Sequence, residues 1–475
     1  MKIFRNLITL SLLTWLAGCG HDPGYRLSDF NFPQYTEVQV VNLMPDSPST
    51  LATVSPNPPS SFEQPRSGVA DFASATPQQS FVVGTYDIKV TYLDADGLAH
   101  DILNQTSQTF LDKDQWVYLF TGSVTNPTVQ KVNFTDPFFT GGISSDDVMV
   151  WFANGASAPD QVDIYLTNAT TPIAAVSPTT TLTTGAYSDP VTLTNRPDWR
   201  LRVTPAGSTT ILFDSGSFTM NGGDRTLLAL TDYFGPKGVG ASSTQTLLDG
   251  VKITSAGAQK FASGNLPSEL RIINLVRDLG PLDVYFGSTS GAPFAGNLAQ
   301  LGTTPYQDIT PGADALNVTE TGIKDQFVLE QDLSFGSGAF YTLVLTGSYN
   351  GGGTNSTLNS VLFTTDARPI QGRTKVNFIN AGSVNKSVNV YLLAPGQALT
   401  DTSPQLDAVT PDTLKSLTLR SGETDVVVTS SDNKNIILGP TRYIFNEGTT
   451  YTLVMVEDPV NQATQAKLMV LADTP

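Results

Sequence analysis

Cys19 is the only cysteine in this chain of 475 residues, and it closes the run Leu16, Ala17, Gly18, Cys19 behind an apolar stretch. A thiol placed there is a nucleophile that can be acylated once, after which no internal disulfide can form and stability must come from burial. Histidine, the usual proton carrier near neutral pH, occurs twice, as His21 and as His100 in the turn DADGLAHD. A serine triad would have to use His100, and no glycine-flanked serine elbow is present to pair with it. Zinc needs a cluster of cysteine and histidine ligands that the chain does not supply. Gly351 to Gly353 are glycine-rich but lack the lysine and helix of a nucleotide loop, so a hairpin tip is expected there.

Carboxylates are the remaining chemistry. Paired Asp or Glu hydrolyse glycosides without histidine, but Asp163 and Asp283 recur at equivalent repeat positions, with Asn389 in their place further on. Recurrence at a repeat-wide position points to turn or sheet-edge hydrogen bonding. Oxygen ligands for calcium would come from three loops: Asp94, Asp96 and Asp101; Asp112 and Asp114; Asp146 and Asp147. None fits the twelve-residue calcium loop, and Asp96-Gly97 is an ordinary hairpin signal. Trp116 and Trp151 fall in alternating strands and read as core, whereas Trp199, after Pro197 and Asp198, reads as partly exposed at a strand entrance. Catalytic, metal-binding and cofactor-binding residues are therefore expected to be none, and Cys19 is the one modification site.

The segment around Cys19 resembles the lipobox of bacterial lipoproteins. Lys2 and Arg5 form a positive n-region, and the apolar run to Trp15 is too short to span a bilayer and suits a signal-peptide core. The resemblance implies a signal peptide over 1–18, a lipidated cysteine with a flexible tether over 19–35, and a membrane partner reached through the lipid. Gly20 after the cysteine, rather than aspartate, favours the outer membrane. Without Lys2 and Arg5 the chain carries 24 basic against 43 acidic residues, a net charge of −19 that repels nucleic-acid phosphates, so nucleic-acid binding is excluded.

The elements that must position any chemistry come in four copies. Each copy opens with an apolar strand ending in asparagine: VQVVN at Asn42, MVWFAN at Asn154, LRIIN at Asn274 and VNFIN at Asn380. A second landmark ends in threonine at Thr91, Thr204, Thr319 and Thr429. It is led by Gly84, Gly312 and Gly422 in three copies and by Pro197 and Asp198 in the other. A third strand follows as WVYLFTG, TLLALTD, YTLVLTG and YTLVMVE, and a last strand closes each copy. Three copies share a further strand, VDIYL, LDVYF and VNVYL. The first copy has LATVSPNPPSSFEQPRSG there, whose prolines predict an edge or a loop. Alternating strands with frequent turns predict an all-β chain of four tandem antiparallel immunoglobulin-like β-sandwiches, at 36–138, 146–254, 268–369 and 373–475. Each sheet is expected to bury one face. Residues Ala256 to Phe261 are expected in a connection, and Pro369 to Arg373 form a short link that fixes the last two units. Four sandwiches end to end would project about 100–150 Å at about 3.3 Å per strand residue.

The opening strands LRIIN and VNFIN, the strands LDVYF and VDIYL, and the glycine-led GADALNVT and GETDVVVT resemble a bacterial family of unknown function whose extracytoplasmic immunoglobulin-like sandwiches occur in tandem. That resemblance implies a fold and an envelope location and transfers no catalytic residue. The expected function is a non-enzymatic envelope lipoprotein that presents its sandwiches for protein or glycan contact, as adhesin or scaffold. The alternative is an accessory that binds or processes polysaccharide.

Overall fold

The computed structural model describes residues 34–134, 143–237, 246–261, 266–349, 356–381, 387–400, 402–457 and 466–473. Cys19, His21, the expected signal peptide, nearly all of the tether and Gly351 to Gly353 lie outside them. The described chain is all-β, arranged as eight sheets, two to each repeat. The one helical turn among the described residues is a 3-10 turn, Ile173–Ala175.

Each unit repeats one pattern. The opening strand (Tyr35–Asn42, Asp147–Asn154, Ser268–Asn274, Arg373–Asn380) lies beside the third-landmark strand (Gln115–Ser123, Arg225–Asp232, Phe340–Thr346, Thr450–Glu457). The two run parallel, with Val41 opposite Leu119, Ala153 opposite Ala229, Ile273 opposite Val344 and Ile379 opposite Val454. These sheets are therefore mixed, because the chain crosses to the second sheet and back before the pair forms. The closing strand adds antiparallel on the far side of the third. The second sheet is antiparallel throughout and is centred on the threonine-ended strand and the one before it.

The first unit has that preceding strand too. Thr50–Pro56 pairs on one side with Arg66–Ala70 and on the other with Gly84–Leu93, burying Ala52 and Val54. The expected edge or loop is thus an interior strand, because its prolines fall at or beyond the last residue, where no ladder hydrogen bond depends on them. A second correction concerns Ala256 to Phe261. Gly257–Lys260 turns back on Leu248–Thr254 as a fifth strand of the second unit's opening sheet.

The larger departure is in how units meet. The opening strands bury both faces: Val38 and Val40 point into their own sandwich, while Val41 and Leu43 join Trp151, Ala153, Leu227 and Ala229 of the second unit in one cluster. Ile273, Leu275 and Val344 likewise join Ile379, Val454 and Val456 between the third and fourth units. Each pair is four sheets deep, and corresponding residues of the two partners meet, a pseudo-two-fold contact. The end-to-end rod is overturned: units pack side by side through their opening sheets. The sequence reason is that each opening strand carries apolar residues on both faces, Val40 and Val41, Phe152 and Ala153, Ile272 and Ile273, Phe378 and Ile379, a pattern that needs cover on both sides.

The link between units three and four docks on unit one. Arg368 donates from Nη1 to the carbonyls of Pro45 (2.6 Å) and Ser47 (2.9 Å) and lies 4.7 Å above the Phe72 ring. The Gln371 amide donates to the Asp46 carbonyl at 2.9 Å. Arg373 donates to the carbonyls of Leu93 and Asp94, and Arg420 pairs with Asp96. Unit two reaches unit three where Gly235 passes Gly338 so closely that a Cβ on Gly235 would stand 2.7 Å from the Gly338 carbonyl oxygen. The four units therefore close on one another around a common junction.

Candidate functional site

The repeat-wide polar residues are spent on the fold. Asn42, Asn154 and Asn274 each accept from the amide two residues on, at Met44, Ala156 and Val276. Asn274 and Asn380 donate across to the carbonyls of Leu298 and Val409 on the second sheet, and Asn42 donates to Ser47 Oγ. These asparagines end the opening strand, and Asn42, Asn274 and Asn380 tie the two sheets. Asp163 accepts from Thr181 Oγ1 (2.6 Å) and the Gly207 amide (2.8 Å). Asp283 accepts from the amides of Asn297 (2.8 Å) and Gly322 (3.1 Å), and Asn389 Oδ1 from the Ala408 amide. Their reading as turn and edge hydrogen-bonding residues holds. Register places Leu51 opposite Thr91, where the other copies set Asp163, Asp283 and Asn389 opposite their threonines, so Leu51 is the first unit's counterpart.

His100 is exposed on the strand Ala99–Phe110, just past the turn and opposite Tyr92, with its Nε2 2.6 Å from Asp94 Oδ2 and its ring stacked on Tyr92. The bond to His100 and those from the Leu98 and Asp96 amides hold the Asp94 carboxyl below its ordinary value. Asp101 pairs with Lys89, and Asp114 accepts from the Leu111 amide, Trp116 Nε1 and Asn133 Nδ2. Asp147 begins an opening strand and the Asp146 carbonyl accepts from Asn195. Among the described residues no group of three or more His, Cys, Asp or Glu side chains is placed to hold a metal ion. Trp151 is 4% exposed and lies between units one and two, 4.2 Å from Phe134. Trp116 packs at the edge of the first unit's core. Trp199 corrects the expectation of partial exposure: it is 1% exposed, because the strand Trp199–Pro205 turns the indole inward and Arg196 covers its ring at 4.9 Å.

The chemistry collects instead where the four units meet, in a cavity of about 940 Å³. Unit one contributes Asp71 and Phe72, unit two Phe234, Asp249 and Lys260, unit three Asp366 and Arg368, and unit four Arg373, Lys375 and Asn377. Lys375 Nζ is 2.5 Å from Asp366 Oδ2. Burial pulls the lysine down to about 8, Asp366 opposes that pull, and the neighbouring Arg368 adds to it. The same two cations hold the Asp366 carboxyl below its ordinary value against the desolvation that would raise it. Asp249 is nearly enclosed, with Lys260 Nζ at 2.6 Å, and burial raises its carboxyl above the ordinary range in spite of that partner. One acid kept low and one pushed up thus line the same space. Beside the cavity, Arg271 Nη1 joins Asp473 at 2.6 Å across the interface of units three and four, with Tyr306 over the guanidinium.

Apart from Arg373 at the end of the short link, no sequence pattern marks these cavity residues, which lie in four different repeats and carry no common spacing. The legible signal was local: TTDARP, a charged run in a charge-poor chain, placed at the short link between units.

The fold and cavity define a four-unit β-sandwich protein with one shared, charged junction. A family described as a domain of unknown function (DUF4397) matches residues 268–391, which span the third sandwich and the start of the fourth. Among solved structures, the chain is similar to the Bacillus anthracis TIE protein, at 9% identity over 86% of this chain and 68% of that one, with a TM-score of 0.16. It is also similar to family 41 carbohydrate-binding modules from streptococcal virulence factors, at 14% identity over 40% of this chain and 95% of that one, TM-score 0.16. A family 26 carbohydrate-binding module of Eubacterium rectale Amy13K, in complex with maltoheptaose, is similar at 16% identity over 46% of this chain and 97% of that one, TM-score 0.16. At these scores the likenesses carry no functional argument. No curated protein matches the chain.

Proposed function

We propose that this chain is a non-enzymatic lipoprotein of the cell envelope, anchored through Cys19 at the outer membrane, that presents a fixed cluster of four sandwiches for protein or glycan contact. The observation that carries the contact role is the use made of the polar residues. Asp163, Asp283 and the Asp94–His100 pair serve turns, whereas charged side chains from several units converge on one junction cavity. The lipid anchor is supported by Leu16 to Cys19 behind the apolar run, with the body beginning at Tyr35 after a short tether. Protease accessibility on intact cells, compared between native Cys19 and Cys19→Ala, tests the location. Cleavage on intact cells only when Cys19 is present is the expected result; protection until the envelope is opened, in both forms, defeats surface presentation.

A polysaccharide-processing role is favoured by one observation, the Asp249 carboxyl raised by burial in the same cavity as the ionised Asp366. Opposed carboxyl acidities in one site are what glycoside chemistry uses. Hydrolysis of a glycan that disappears in Asp249→Asn would move the assignment to that reading.

A further inference from the structure

The chain as a whole is acidic, with 43 Asp and Glu against 26 Lys and Arg. The junction cavity inverts that balance: Lys260, Arg368, Arg373 and Lys375 line it with three acids, Asp71, Asp249 and Asp366. All three acids are occupied, Asp366 by Lys375, Asp249 by Lys260 and Asp71 by the Ser49 hydroxyl, which leaves one cation in excess. Arg373 keeps a buried Nε with no hydrogen-bond partner, and the Lys260 side chain is 47% exposed. The rest of the wall suits a hydroxylated ligand. Asn377, Ser416 and Thr418 offer polar groups, and Phe72 and Phe234 stand edge to face 6.3 Å apart, supplying apolar ring surface. A volume of 940 Å³ lies in the range of roughly 300–1,000 Å³ for small-ligand sites and admits a short oligosaccharide.

We infer that the junction cavity binds an acidic glycan segment, its carboxylate held by Lys260 and Lys375 and its hydroxyls by the Asn377 and Ser416 side. This rests on the glycan arm of the reading above and names its ligand class. Lys375 and Arg368 share the one Asp366 carboxylate, at 2.5 Å and 4.0 Å, and a bound carboxylate would balance the second positive charge.

The test is calorimetric titration of the full chain in detergent with trigalacturonate, maltotriose as the neutral control and inorganic phosphate as the free-anion control. Saturable trigalacturonate binding is expected, lowered by on the order of tenfold in Lys260→Gln and in Lys375→Gln, with little maltotriose binding. Lys260 is half exposed, so its variant reads the site even where Lys375→Gln fails to fold. Equal binding of maltotriose, binding of phosphate alone, or trigalacturonate binding unchanged in Lys260→Gln would each overturn the assignment. A failure here leaves the envelope location untouched, and protection from protease on intact cells leaves this binding untouched.

Discussion

Lys375 shows what a single residue contributes at the junction. Its ammonium is 13% exposed, beside one carboxylate and one guanidinium, and it is held near 8 against an ordinary 10.5. A lysine lowered in the folded state binds its proton less readily there than when unfolded, so the charged form costs stability. The sign follows: the cost is complete below pH 8 and is recovered as pH rises from 8 to 10.5, where only the unfolded chain still holds the proton. Lys375→Met is therefore expected to stabilise the protein by about 1–3 kcal/mol at pH 7. Urea denaturation at pH 7 and pH 10 checks this, since the gain must shrink at the higher pH. Asp366 loses its ammonium partner in the variant and keeps the Arg368 guanidinium at 4.0 Å.

At the scale of the element, the opening strands do two jobs. One face fills the unit's own core and the other makes the contact with the neighbouring unit, as Phe378 and Ile379 show on successive positions of one strand. Phe378 is fully buried inside unit four, and Ile379 is 1% exposed between units three and four. Ile379→Asp places an unpaired carboxylate in that second, apolar interface, at a cost of several kcal/mol. The expected outcome is separation of units three and four with each sandwich still folded: a larger radius of gyration by small-angle scattering and unchanged strand content by circular dichroism. Global unfolding at the same pH would show instead that the units have no stability outside the pair.

At the scale of the whole molecule, the seams differ in kind. Units one and two, and units three and four, meet through apolar clusters, while unit one meets the link and unit four through Arg368, Arg373 and Arg420. Guanidinium-to-carbonyl bonds and an exposed ion pair are weaker than buried apolar area and lose strength in salt. Arg368→Ala removes two of these bonds and the cover over Phe72, so the two pairs are expected to swing apart while each stays intact. Scattering should then give a maximum dimension that grows with the variant, and that grows further in high salt. A dimension unchanged by Arg368→Ala would assign the closure to the Gly235 and Gly338 contact instead.

The sequence by itself determined the all-β class, the four copies, and the hydrogen-bonding roles of Asp163 and Asp283. Strand periodicity, turn residues and recurrence at fixed places are local properties, and local physics sets them. The adjacent apolar pairs Val40 with Val41 and Ile272 with Ile273 likewise call for a neighbour on each face of the strand. What only the tertiary structure decided was which surfaces cover one another: the pairing of opening sheets, the burial of Trp199, the docking of Arg368 on unit one, and the cavity that joins Asp249, Lys260, Asp366 and Lys375. Those residues stand up to 126 positions apart in the chain. Their proximity follows from the packing of whole sheets, and no spacing along one strand encodes it.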